Sequence, residues 1–95
     1  MPIVNLALQV VPKVNGGNSY AVVDKAIEVI QQAGVKYEVG AMETVMEGEL
    51  DQLIEIAKKA QEACITAGAL EVLTYIKIQY RPEGVSMDEK LAKYR

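Results

Sequence analysis

The feature that most constrains the fold is the order in which two kinds of segment follow each other along the chain. In one kind apolar residues recur with the period of a strand, and in the other with the period of a helix. Residues 3–11 alternate between apolar and polar side chains, as a half-buried strand does, and Pro12 should end this segment because proline donates no hydrogen bond to a sheet. The same alternation returns at residues 70–80. Between them, residues 35–40 and 44–47 predict two short strands joined as a hairpin. The chain therefore offers four strands.

Two further segments have the apolar period of a helix. The first follows two candidate N-caps, Asn18 and Ser19, and the second is expected to begin at Gly48 and to end at Gly68. The apolar face of the first helix consists of Tyr20, Val23, Ile27 and Ile30, and that of the second of Leu50, Leu53, Ile54, Ala57, Ala60, Cys64 and Ala67. Each helix thus has one apolar face to bury.

The resulting order is strand, helix, strand, strand, helix, strand within a single domain of residues 1–95. Two amphipathic helices need one sheet face to cover, so the order predicts a ferredoxin-like α+β sandwich, a four-stranded antiparallel sheet with both helices on one face. Residues 82–95 follow the last strand and are expected to form either a short helix or a loose tail.

The sheet face away from the helices should be mixed in character. From the first and last strands it should present Asn5, Ala7, Gln9, Leu73, Tyr75 and Lys77. Such a face can be solvated, can form a subunit interface, or can be the floor of a ligand site. We favour the interface, because a chain of 95 residues has a modest core and Leu73 with Tyr75 adds an exposed apolar patch. The sequence therefore predicts a homo-oligomer, as a dimer or a tetramer.

Composition excludes several classes of function. The chain has no histidine, so imidazole catalysis and histidine-ligated metals are ruled out, and its single cysteine permits no multi-cysteine metal site. The net charge of -3 gives no reason to expect nucleic acid as a partner. No segment has the pattern of a membrane span or a signal peptide, so we expect a cytoplasmic protein. Cys64 is expected to be a buried thiol rather than a nucleophile.

The densest cluster of polar and soft side chains lies in residues 37–48, around the predicted hairpin. It holds one phenol ring, two thioethers, one hydroxyl and several carboxylates, a set suited to a flat cationic heterocycle. The residues alone leave a simpler alternative open. Met42 and Met46 can fill the core, while Glu43 and Glu47 are merely solvated.

The same cluster resembles the small thiamine-binding protein family, and the likeness extends from about Ile3 to Arg81. Its most specific part is the string Tyr-Glu-x-Gly-x-Met-x-Thr-x-x-Glu-Gly at residues 37–48, supported by Ser-Tyr at 19–20 and Ile-Lys-Ile at 76–78. The resemblance implies ferredoxin-like subunits that form dimers or tetramers and bind thiamine or its hydroxymethylpyrimidine moiety.

Six positions match the family and are the expected ligand-binding residues: Tyr37, Met42, Thr44, Glu47, Ser19 and Tyr20. Glu47 is expected to hydrogen-bond the aminopyrimidine or to balance the thiazolium charge, and Thr44 to bond a ring nitrogen. Tyr37 of the hairpin or Tyr20 at the start of the helix would stack on a ring of the ligand. Met42 would pack against a ring face.

Three places depart from the family pattern: Ala41, where proline is common, Glu43, where a small residue is common, and residues 79–82, which lack the acidic residues often seen after Ile-Lys-Ile. We expect Glu47, Thr44, Met42 and Tyr37 to surround one shared hollow beside the middle strands.

The expected function is that of a non-enzymatic cytoplasmic protein that binds thiamine or the related pyrimidine, with no cofactor and no metal. The alternative is a structural or regulatory homo-oligomer that acts through protein partners and has no vitamin ligand. A small enzyme ranks third, because the sequence shows no pairing of a nucleophile with a base.

Overall fold

The computed structural model describes residues 2–95 and confirms the ferredoxin-like arrangement. Its elements are β1 (Ile3–Lys13), α1 (Ser19–Gln32), β2 (Lys36–Val39), β3 (Thr44–Glu49), α2 (Leu50–Thr66), β4 (Glu71–Gln79), α3 (Met87–Leu91) and a final 3-10 turn (Ala92–Tyr94). The four strands form one antiparallel sheet in the order β2-β3-β1-β4.

The core lies between this sheet and the two long helices. From the sheet, it takes the inward residues of the central strands, among them Leu6 and Met46, which are paired across β1 and β3 and fully buried. From α2 it takes Leu53, Ile56, Ala57, Ala60 and Cys64. Apolar burial of this kind is the main favourable contribution to folding.

The buried face of α1 differs from the predicted one. Tyr20 is 79% exposed, and the buried residues are Val22, Ala26 and Ile30. Val23 and Ile27 are half-buried at the border of this face. The helix contains two overlapping apolar stripes, and the one with the small Ala26 at its centre faces the sheet. The predicted cap is correct, since the Asn18 side chain accepts a hydrogen bond from the Tyr20 backbone N–H at 2.9 Å.

Strand β1 is longer than the sequence predicts, because Pro12 does not end it. Pro12 pairs with Val72 of β4, whereas the pairing of β1 with β3 already ends at Leu8 and Thr44. From Gln9 onward β1 therefore lacks a strand on its β3 side. Proline is tolerated in a strand where one edge is unpaired, which explains its position here.

The boundary between β3 and α2 also lies later than predicted. β3 continues through Gly48 to Glu49, and α2 begins at Leu50 rather than at Gly48.

Residues 80–95 form a third layer on the sheet face away from α1 and α2. The Met87 backbone N–H donates to the Glu47 carboxylate at 2.6 Å, and the Val85 N–H donates to the Ile3 carbonyl at 3.1 Å. Beneath this layer Asn5 is only 5% exposed. The C-terminal residues thus form a short packed helix, one of the two predicted outcomes.

This third layer corrects the expectation of a fully open sheet face. Asn5 and Ala7, which we expected on an open face, are both buried. The part that stays open lies along β4 and the end of β1, where Leu73 and Tyr75 are exposed.

Candidate functional site

A small cavity, here called the helix-side cavity, lies between residues 23–30 of α1 and residues 8–10 of β1. Its volume is about 100 Å³. Apolar side chains of β1 and α1 form its inner wall, among them Leu8, Val23 and Ile27. The outer wall is the β2–β3 loop, residues 40–43, followed by Thr44. The cavity is therefore apolar inside and carries its polar groups at the loop.

The loop owes its shape to a tight turn at Gly40. The Gly40 N–H donates to the Glu43 carbonyl at 2.9 Å, which closes the predicted hairpin. A Cβ atom on Gly40 would lie 2.8 Å from that carbonyl oxygen, closer than real Cβ atoms approach, so only glycine fits. Thr44 is 5% exposed, whereas Met42 at the tip is 78% exposed. The loop thus has a fixed base and a loosely held tip.

A second depression, here called the open-face hollow, lies on the other side of the same loop. It has a volume of about 480 Å³ and is lined by Gln9, Met42, Glu43, Tyr75, Ile76 and Lys77. The Lys77 ammonium lies 3.2 Å from the Glu43 carboxylate. Gln9, Met42 and Glu43 line both spaces, so the helix-side cavity and the open-face hollow share one wall.

Glu47 lies away from both spaces, which corrects the prediction of one shared hollow. Glu47 and Thr44 are three residues apart in one strand, so their side chains point to opposite faces of the sheet. The Glu47 carboxylate accepts hydrogen bonds from the Asn5 side-chain amide at 3.1 Å and from the Met87 N–H. It also lines a separate polar depression of about 740 Å³ with Arg81.

Tyr37 is not at the helix-side cavity either. It pairs with Met46 in the β2–β3 ladder and is partly exposed on the helix side of the sheet. Of the four residues expected around one hollow, only Met42 and Thr44 line a common cavity. Whether any of the four contacts a ligand stays a prediction.

Ser19 and Tyr20 occupy the first turn of α1, one turn before Val23. Neither of them is among the residues that line the helix-side cavity or the open-face hollow; Ser19 is half-buried, and Tyr20 is largely exposed. The expected ligand-binding residues did not include Gln9 and Tyr75, although period-two alternation places both on the open face with Lys77, where they line the open-face hollow.

Electrostatic shifts are concentrated away from the cavity. Hydrogen bonds from Lys36 and then Arg95 lower the pKa of Asp88, and these contacts hold the C-terminal layer against β2. The Arg95 guanidinium also contacts Glu38 at 2.6 Å. Burial raises the pKa of the Cys64 thiol, so the thiol stays protonated in the core.

Two kinds of feature are absent from the described residues 2–95. They hold no group of three potential metal-ligating side chains. Within the same range, no helix is both long and apolar enough to cross a membrane.

Comparison with known proteins agrees with the fold. A family model described as thiamine-binding protein matches residues 6–95. A UPF0045 protein of Clostridium perfringens is 55% identical over 91 residues, which cover 96% of each chain. A solved DUF77 domain from Bacillus cereus is 59% identical, with a TM-score of 0.95 over 99% of this chain and 91% of that one.

A second solved structure, a Thermotoga maritima protein provisionally named for thiamine biosynthesis or salvage, is 35% identical. Its TM-score is 0.90 over 99% of this chain and 100% of that one. The family match spans nearly all of the elements described above, including the loop that closes the helix-side cavity. The chain therefore belongs to the thiamine-binding protein family.

Proposed function

We propose that the chain is a non-enzymatic cytoplasmic protein that binds thiamine or its hydroxymethylpyrimidine moiety. One observation carries the proposal. The string most specific to the family, residues 37–48, contains the loop that walls both the helix-side cavity and the open-face hollow. The segment that resembles thiamine-binding proteins most closely is therefore the segment that shapes the available binding space.

The helix-side cavity suits an aminopyrimidine in chemistry. Leu8, Val23 and Ile27 offer apolar contacts to a ring, and the Thr44 hydroxyl can donate to or accept from a ring nitrogen or an exocyclic amine. The thioether of Met42 can pack against the edge of the ring. Glu47 is engaged beneath the C-terminal layer, so the geometry gives no support to its predicted ligand contact.

The helix-side cavity is small for an aromatic ring. Its volume is about 100 Å³, whereas an enclosed engineered cavity of roughly 150 Å³ binds a single benzene ring. The Met42 side chain at the loop tip is 78% exposed, so little packing opposes its displacement. We therefore infer that the loop shifts outward to admit the pyrimidine.

The same lining favours binding over catalysis. Glu43 is the single ionisable group among the described residues that line the helix-side cavity. General acid–base chemistry usually needs a second group to return or supply a proton, and a covalent mechanism needs an activated nucleophile. We propose that the protein stores, delivers or senses its ligand unchanged and needs no cofactor.

We also propose that the chain forms a homo-oligomer through the part of the sheet that remains open. Strand β4 is an edge strand with exposed apolar side chains on both faces, namely Leu73, Tyr75, Ile76 and Ile78. Exposed edges and apolar patches of this kind are usually covered by a partner. This observation also supports the alternative function, a structural or regulatory oligomer without a vitamin ligand.

Calorimetric titration with thiamine and with hydroxymethylpyrimidine tests the proposal. We expect at least one of them to bind, and Thr44→Val to weaken that binding about fivefold to tenfold, the value of one hydrogen bond. Thr74→Val is the matched control, since Thr74 lies on the same sheet face but does not line the cavity. Absence of binding by both compounds at millimolar concentration would contradict the proposal and leave the structural alternative.

A further inference from the structure

The loop that closes the helix-side cavity is also the wall of the open-face hollow, because the sheet has a gap there. The pairing of β1 with β3 ends at Leu8 and Thr44, yet β1 continues to Lys13 beside β4. The β2–β3 loop occupies the place of the missing strand residues. Gln9, Met42 and Glu43 consequently line both spaces. A ligand made of two rings joined by one carbon can extend from one space into the other when the loop shifts.

The open-face hollow has the chemistry of a site for a cation. Tyr75 presents an exposed phenol ring, Met42 a polarisable thioether, and Glu43 a carboxylate. All three groups interact favourably with a cationic aromatic ring. At about 480 Å³, the hollow is also within the size range of small-molecule sites.

The resting partner of Glu43 is easily replaced. Lys77 contacts the Glu43 carboxylate at 3.2 Å, but the lysine side chain is mostly exposed and the glutamate partly so. Exposed ion pairs of this kind contribute little to stability. A cation bound in the hollow can therefore replace Lys77 as the ion-pair partner of Glu43, and the Lys77 ammonium can then be solvated.

We propose that Glu43 is the charge-selecting residue of the ligand site. Its carboxylate is the counter-ion of the cationic ring of a two-ring ligand, the thiazolium of thiamine, and Lys77 competes with that ring for the carboxylate. This inference rests on the proposed function and adds to it. The neutral hydroxymethylpyrimidine has no cation to offer Glu43, so Glu43 favours the whole vitamin over its pyrimidine half.

The test is a calorimetric titration of three variants with thiamine and with hydroxymethylpyrimidine. Glu43→Gln should weaken thiamine binding about fivefold and leave the pyrimidine within about twofold. Lys77→Gln should strengthen thiamine binding about twofold or more, because it removes the competing cation. The matched control is Glu71→Gln, which breaks the exposed Lys13–Glu71 ion pair without touching either space.

The two substitutions are expected to change the thiamine affinity in opposite directions, and this distinguishes charge selection from a structural role. If the ion pair merely holds the loop, Glu43→Gln and Lys77→Gln will change the affinity for both compounds in the same direction, which overturns the inference. Unchanged thiamine selectivity in Glu43→Gln overturns it as well, while the proposed function stands. Failure of the unmodified protein to bind either compound refutes the proposed function, and the inference with it.

Discussion

Replacement of Glu47 by alanine should destabilise the fold and loosen its C-terminal layer. The Glu47 carboxylate accepts one hydrogen bond from the Asn5 side chain at 3.1 Å and one from the Met87 backbone at 2.6 Å. Both donors belong to buried residues, with Asn5 5% and Met87 3% exposed. Alanine therefore leaves two largely buried donors without their acceptor.

The expected loss of stability in Glu47→Ala follows from these two hydrogen bonds. Hydrogen bonds to a charged acceptor contribute about 1.5–3 kcal/mol each, and partial access to water lowers the sum to about 2–4 kcal/mol. For a chain of 95 residues, this corresponds to a decrease in Tm of about 10–20 °C. Glu47→Gln keeps an oxygen acceptor in place and should cost only about 1 kcal/mol.

Urea unfolding followed by circular dichroism measures the loss of stability, and hydrogen exchange at the Met87 amide reports on the C-terminal layer. Glu49→Ala is a suitable control, because Glu49 is an exposed neighbour in the same strand. If Glu47→Ala unfolds within about 0.5 kcal/mol of that control, as an ordinary surface substitution would, then the reasoning about the buried donors is wrong.

Three further predictions concern pH, the thiol and the loop. The pKa of Asp88 is lowered in the folded state by its two cationic partners, so its contribution is present above about pH 4 and is lost as the pH falls through the folded-state pKa. Acid unfolding should therefore be less pH-dependent in Asp88→Asn than in the unmodified protein. The Cys64 thiol should react with a disulfide reagent only after denaturation, and rapid reaction in native buffer would contradict its burial. Gly40→Ala should displace the β2–β3 loop and weaken ligand binding, because its Cβ meets a backbone oxygen. Gly48→Ala, whose Cβ meets side-chain atoms and no backbone atom, the nearest being on Leu53 at 3.3 Å, should leave binding unchanged.

The order of elements could be predicted from periodicity, because apolar residues alternate in the strand segments and recur every three to four residues in the helix segments. The face of α1 that packs against the sheet could not be predicted in this way. Its sequence carries two overlapping stripes, and the position of the helix over the sheet chooses the one that contains Ala26. Tyr20 fits the period of the other stripe and is left in solvent. Tertiary packing, which local sequence does not encode, decides between such stripes.

The hairpin loop at residues 40–43 could be predicted from the sequence, but the grouping of Thr44 with Glu47 around one hollow ignored the alternation of side chains along a strand. That error was avoidable from the sequence alone. The burial of Asn5 beneath the C-terminal layer could not be predicted from the sequence, because it depends on long-range contacts such as the one between Met87 and Glu47.

A crystal structure of the protein with thiamine would show where the ligand binds. We expect the pyrimidine ring to lie between α1 and the displaced β2–β3 loop, within hydrogen-bond distance of the Thr44 hydroxyl. A ligand bound instead beside Glu47, beneath the C-terminal layer, would contradict this expectation.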